Sequence, residues 1–203
     1  AEGFNQALAK YPDIEVLGIT TTFGNVTVDQ ATINALYLCQ LAGRTITVTR
    51  GADKPLVKQA EPPPDFIHGA DGLGNLPERA PPRGRVDPRT SAQFIVDIAR
   101  KYPGEITLVA VGPLGNLAEA LRLAPELPDL VREVVLMGGA VLESGNVSPV
   151  AEANIWNDPH AADVVFTAGW PLTMVGLDVT HQVILPLTLF EHLAQHHQHP
   201  AVD

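Results

Sequence analysis

Cysteine is almost missing from these 203 residues: Cys39 stands alone. Neither an intrachain disulfide framework nor a Cys-rich zinc site can therefore be built. One thiol suits a reducing compartment, and the expected location is cytoplasmic. Cationic side chains are also scarce, with 13 Lys and Arg against 23 Asp and Glu and a formal net charge of −10. A nucleic acid polymer or an anionic membrane surface demands clustered Lys and Arg, so neither is expected as a partner. Long apolar runs are absent too. Stretches such as Ile106 to Val111 are far too short to cross a bilayer.

What is present is a globular composition. Hydrophobic residues make up 45% and charged residues 18%, enough apolar material for a core and too little charge for a disordered chain. A single domain is expected over residues 1–203, with no internal repeat. The sequence opens inside a helical pattern carried by Phe4, Ala7 and Leu8 and closes just after another helical stretch. Those ends read as a domain truncated on both sides.

Short β-branched runs alternate with amphipathic segments. Strands are expected at Ile14 to Thr21, Thr45 to Thr49, Glu105 to Val111, Glu133 to Met137 and Leu172 to Val175. A helix should start at Thr27, with Gln30 at capping-box spacing, bury Ile33, Leu36, Tyr37 and Leu41, and stop at Gly43. Further helices are expected at Ser91 to Lys101, Leu117 to Leu123, after Asp158-Pro159, and at Leu187 to Gln195. Cys39 falls inside the first helix as a core residue. Gly51 to about Arg89 is rich in Pro and Gly and reads as a lid or binding loop. Buried strands alternating with helices define an α/β fold: an open, mostly parallel, Rossmann-like sheet with helices on both faces.

In such sheets ligands bind beyond the carboxyl ends of the strands. Those ends carry Phe23-Gly24-Asn25, Val111 through Asn116, Met137-Gly138-Gly139 with Gly145-Asn146 in the loop beyond, and Leu177 through His181. They hold amides and glycines but almost no cations, which suits a neutral polyhydroxyl ligand better than a phosphate. Gly112 to Asn116 could cradle an anion on free N–H groups, yet it lacks a P-loop Lys. If Ala151 to Trp156 is extended, Glu152, Asn154 and Trp156 share one side, where a carboxylate and an amide can hold vicinal hydroxyls. The alternative is that they stabilise a long loop. His192, His196, His197 and His199 resemble a metal cluster by count, but a solvated helix end and tail explains them better.

Taken together, the runs Val16 to Asn25, Ile67 to Leu73, Val111 to Leu117, Val135 to Ala140, Gly145 to Ile155 and Leu177 to His181 resemble the inosine-uridine preferring nucleoside hydrolase family. The resemblance follows family order across nearly the whole chain. It implies hydrolysis of the N-glycosidic bond of ribonucleosides to ribose and base, assisted by one Ca²⁺, in a homo-oligomer that serves purine and pyrimidine salvage. Carried over by motif, Asn25, His68, Met137, Asn146, Glu152 and Asn154 would bind the nucleoside, and the Val111 carbonyl would bind the metal. Two positions depart from the pattern: Ala153, where an aromatic residue is frequent, and Gly115, where Thr is frequent. The family's Asp-rich D-x-D-P-G-x-D-D motif and its C-terminal His-Asp pair have no counterpart here, so the catalytic residues stay unassigned. The 203 residues alone are expected to be inactive. The competing expectation is a shortened, non-catalytic homologue that binds ribosides or partners.

Overall fold

A computed structural model describes residues 14–76, 79 and 81–195, without the side chains at 193 and 194. The opening helix pattern and His196, His197 and His199 lie outside the described residues. In chain order the elements are β1 (Gly18–Thr20), α1 (Val28–Leu41), β2 (Thr47–Arg50), α2 (Asp65–His68), β3 (Asp87–Thr90) and α3 (Ser91–Lys101). There follow β4 (Thr107–Ala110), α4 (Gly115–Leu123), α5 (Leu127–Leu130), β5 (Glu133–Met137), α6 (Ala153–Asn157), α7 (Pro159–Phe166), β6 (Leu172–Val175), α8 (Leu177–Thr180) and α9 (Leu187–Ala194).

The fold is α/β with every described strand pair parallel. The strands form two three-stranded sheets, β1-β2-β3 and β4-β5-β6. In the first, Gly18, Ile19 and Thr20 lie beside Thr47, Val48 and Thr49. In the second, β5 is central, with Thr107 beside Glu133 and Val134 beside Leu172. Among the described residues β1 and β4 each pair on one edge only, and the parallel α/β arrangement is the fold class expected from sequence. Val109 and Val111 are 68% and 74% exposed.

Local chemistry explains most boundaries. Thr27 Oγ1 accepts a hydrogen bond from Gln30 N at the start of α1, but the Gln30 amide donates to Asn34. The complete capping box lies instead at α3, where Thr90 and Gln93 bond each other's backbone N–H. Gly43 ends α1 with φ +61°, a conformation that disfavours side-chain-bearing residues. The expected stripe on α1 is corrected at Ile33, which is exposed, while Thr32, Leu36 and Cys39 are buried. Strand β3 was not expected, since it lies at the end of the Pro- and Gly-rich stretch read as a loop, and it contains Pro88. At a sheet edge the missing N–H of proline can face away from the partner strand.

The two halves are stabilised differently. Around β4-β5-β6 a large apolar cluster includes Ala99, Leu114, Ala120, Leu127, Val134, Leu136, Ala161 and Val165. Around β1-β2-β3 the apolar cluster is small, formed by Leu36, Cys39 and Val48. A chain of hydroxyls supplements it. Thr21 Oγ1 and Thr32 Oγ1 are 2.8 Å apart, and Thr49 Oγ1 and Ser91 Oγ are 2.9 Å apart.

Asn116, in the first turn of α4, joins the halves. Its Nδ2 donates to the Thr21 carbonyl at 2.9 Å, and its Oδ1 accepts from Ala52 N at 2.8 Å. Gly51 sits beneath this bridge, and a Cβ there would collide with both the Asn116 amide and the Thr21 carbonyl. Leu56 N donates to the fully buried Asp158, which also caps α7 by accepting from Ala161 N. Asn116→Ala would leave a buried carbonyl and an N–H unpaired, and should cost about 2 kcal/mol or more. Urea unfolding of the variant beside the parent checks this, and equal midpoints would refute the bridge.

Candidate functional site

A cavity of about 180 Å³ lies between the carboxyl ends of β1 and β4. Strand carboxyl ends are the position at which open α/β sheets bind ligands. Thr22, Phe23, Asn25 and Val26 line it after β1, Ala31 from α1, Val111 to Pro113 after β4, and Asn154 from α6. None of these residues carries a charge. The volume is small beside typical drug-sized pockets of about 300 Å³ and more, and its polar groups are amides and a hydroxyl. Such walls fit a compact neutral ligand with hydroxyl groups.

Asn154 is placed by an acid that does not itself line the cavity. The segment 151–156, for which sequence left an extended course and a stabilised loop open, turns into α6 at Ala153, because Glu152 is its N-cap. The buried Glu152 carboxylate accepts from Asn154 N and Ile155 N, and from Gly139 N beyond β5 at 2.9 Å. A charged acceptor facing several free N–H groups is among the stronger hydrogen-bonding arrangements. The helical path removes the shared face that an alternating strand would have given Glu152, Asn154 and Trp156. Asn146 Oδ1 accepts from Ala153 N at 2.9 Å, so it too fastens the start of α6. The Asn154 Nδ2 then donates to the Met137 carbonyl at 3.0 Å and lies 3.4 Å from its sulfur.

The nominated residues thus fall into three groups. Asn25, Val111 and Asn154 meet at the cavity. Met137, Asn146 and Glu152 hold Asn154 in place. His68 ends α2 and stands apart from the cavity lining. Its loop is organised by Asp71, whose carboxylate accepts from the N–H groups of Leu73, Asn75 and Leu76 and from Arg79. Those bonds hold the Asp71 carboxyl below the usual range. Asn34 Nδ2 donates to the Asp71 carbonyl and ties the loop to α1.

Other contributors were not singled out from sequence. Asp178 lies in α8, where its carboxylate accepts from Val141 N, Leu142 N and Glu143 N. It fixes the start of the loop that carries Asn146, and these N–H groups hold its carboxyl below the usual range. Lys58 Nζ lies 4.2 Å from the Trp156 ring centroid and pairs with Glu61 at 2.6 Å, laying the Pro-rich loop against α6. Cys39 is buried, and desolvation raises its thiol pKa, as a core residue requires.

The family model for inosine-uridine preferring nucleoside hydrolases matches residues 5–202. A probable uridine nucleosidase 2 from Arabidopsis thaliana is 47% identical over 190 residues, covering 90% of this chain and 59% of that protein. An inosine-uridine preferring nucleoside hydrolase from Crithidia fasciculata is 42% identical, covering 94% and 60%. A purine-preferring ribonucleoside hydrolase from Gardnerella vaginalis superposes with a TM-score of 0.87 at 39% identity, covering 91% of this chain and 59% of that one. The chain spans about three-fifths of the length of these relatives.

Two outcomes follow from this geometry. Glu152→Ala frees three N–H groups at once and should destabilise the protein by about 2 kcal/mol, read by thermal or urea unfolding. An unchanged midpoint would mean that Glu152 is not the cap. Because folding lowers the Asp178 pKa, its hold on residues 141–143 is complete above the ordinary value of 3.8 and is lost as pH falls through the lowered one. Exchange protection of those three amides, corrected for intrinsic rates, should drop on that acid limb. In Asp178→Ala it should be low at every pH.

Proposed function

The chain belongs to the inosine-uridine preferring nucleoside hydrolase family, and from that membership we propose that the protein hydrolyses the N-glycosidic bond of ribonucleosides, releasing ribose and free base. The observation that carries this reading is the uncharged cavity in which Asn25 and Asn154 meet between the two sheets. Amides both donate to and accept from hydroxyls, so these two can orient a ribosyl group without attracting phosphate. As the bond to the base breaks, positive charge develops on the sugar ring, and amide and backbone carbonyl oxygens nearby favour it. Glu152, Asn146 and Met137 serve by holding Asn154. His68 would approach the nucleoside from its Asp71-organised loop. The names of the relatives span uridine, inosine-uridine and purine preference, so the proposal concerns the ribosyl bond and not the base.

Family members use a metal ion, taken here as Ca²⁺, a hard cation suited to oxygen ligands. When bound, such an ion orients vicinal hydroxyls and makes a water more acidic. The described residues do not fit it unaided. Among them no group of three or more His, Cys, Asp and Glu could hold a metal, and the cavity has no carboxylate wall. The Val111 carbonyl is the one ligand proposed from this chain.

We further propose a cytoplasmic homo-oligomer acting in nucleoside salvage, without nucleic acid or membrane partners. The lone cysteine, the acidic balance and the exposed apolar Val183, Ile184 and Leu187 support this reading. No helix among the described residues is long and apolar enough to cross a membrane. The second reading is a riboside-binding protein without catalysis, suited to a cavity whose lining among the described residues is neutral.

The product of the whole reading frame, given inosine or uridine, should release base and ribose at an enzymatic rate that EDTA abolishes. Ribose binding without base release would support the second reading, and neither would refute both. The 203 residues alone should release base no faster than buffer. Enzymatic turnover by them would show that the carboxylates missing from the cavity are dispensable.

A further inference from the structure

Helix α6 is too short to hold itself. Its 5 residues, Ala153–Asn157, close little more than one turn. The last carbonyls of any helix have no partner within it, and in so short a helix that leaves most of them. Glu152 secures the start of α6 by accepting from Asn154 N and Ile155 N. The end is secured from a distant part of the chain. Lys58 Nζ donates to the Trp156 carbonyl at 3.2 Å, across 98 residues of sequence. A lysine that bonds the final carbonyls of a helix closes it at its C-terminal side.

The grip extends to the Trp156 side chain. The ammonium stands 4.2 Å from the ring centroid, a cation over an aromatic face. Glu61 pairs with the same ammonium through Oε1 at 2.6 Å, and its Oε2 lies 3.5 Å from the indole Nε1. The lysine stands on a fixed base. Leu56 N, two residues earlier, donates to the buried Asp158, two residues beyond Trp156. These contacts form two rungs between the Pro-rich loop and the end of α6. The Lys58 side chain is only 23% exposed, so its contacts are screened less than those of a pair loose in solvent.

We propose that Lys58 is a positioning residue for the ligand cavity, acting through α6 on Asn154. Asn154 lines the cavity and lies two residues before Trp156 on the same helix. Its backbone N–H is taken by Glu152 and its side-chain amide by the Met137 carbonyl. Unwinding the turn through Trp156 would move Asn154 against both partners, and Lys58 holds the carbonyl at which that turn would fray. Lys58 itself lies outside the cavity lining, so its effect on binding passes through the helix. The proposal rests on the ribosyl reading above and adds to it a residue that does not touch the sugar.

The test uses the product of the whole reading frame, with ribose as the probe in calorimetry. Unfolding and amide exchange are followed without ligand. Lys58→Met keeps the aliphatic stem and removes the ammonium; Lys58→Arg keeps a cation that can bond a carbonyl and stack on an indole. Lys58→Met should weaken ribose binding about fivefold, the scale of one net hydrogen bond. The Trp156 amide, which donates to the Glu152 carbonyl at 2.8 Å, should exchange about fivefold faster in that variant. Its Tm should fall by no more than about 4 °C. Lys58→Arg should bind ribose within about twofold of the parent. Parental affinity, or parental exchange at Trp156, in Lys58→Met would overturn the proposal and leave the ribosyl reading intact. So would a loss in Lys58→Arg as large as in Lys58→Met, or a larger fall in Tm, which would make Lys58 a general prop of the fold. Failure of the parent itself to bind ribose would instead overturn the ribosyl reading and the positioning role together.

Discussion

One amide side chain sets the geometry on which the site depends. The Asn116 amide donates to the Thr21 carbonyl and accepts from Ala52 N, linking β1, the loop after β2 and the helix after β4. Strand pairing cannot do this among the described residues, since β1 and β4 each pair on the other edge. The cavity lining begins at Thr22, one residue beyond the bridged Thr21. Gly51 permits the close approach, and Asp158 repeats the device nearby by accepting from both Leu56 N and Ala161 N. The polar groups that hold the sheets in place thus lie close to those proposed to hold the ligand.

A second regularity is that acidic and amide side chains here mostly organise backbone. Glu152, Asn146, Asp178 and Asp71 each accept from main-chain N–H groups at a helix start or within a loop. Binding groups on short helices and loops need such support, because little apolar packing reaches them. The carboxylates of Glu152, Asp158 and Asp178 serve the scaffold, and the cavity is left with neutral groups. That division explains why a chain with net charge −10 presents an uncharged site.

Much of this was legible in the sequence, for identifiable reasons. The strands Glu133–Met137 and Leu172–Val175 and the helix Ser91–Lys101 matched their expected bounds, because buried parallel strands and capped amphipathic helices have strong local signatures. Asp158-Pro159 gave the start of α7 by cap chemistry alone. Strand β3 escaped notice because it ends a long Pro- and Gly-rich stretch, and its own Pro88 is compatible with a strand at a sheet edge. Sequence could not choose between the extended and loop readings of 151–156, because Gly139, a partner of the Glu152 cap, lies 13 residues away and leaves no local trace. The bridging role of Asn116 was invisible for the same reason: its bonds reach Thr21 and Ala52, 95 and 64 residues away.

The hydroxyl chain of Thr32, Thr21, Thr49 and Ser91 has a thermal consequence. Exposing apolar surface on unfolding raises heat capacity, whereas exposing polar groups lowers it. The half built on β1-β2-β3 buries a small apolar cluster and several hydroxyls, and the half built on β4-β5-β6 buries most of the core. The curvature of stability with temperature therefore comes mainly from the second half. The first half, which carries Thr22 and Asn25, has a flatter temperature response, so warming and cooling should alter its side of the cavity least.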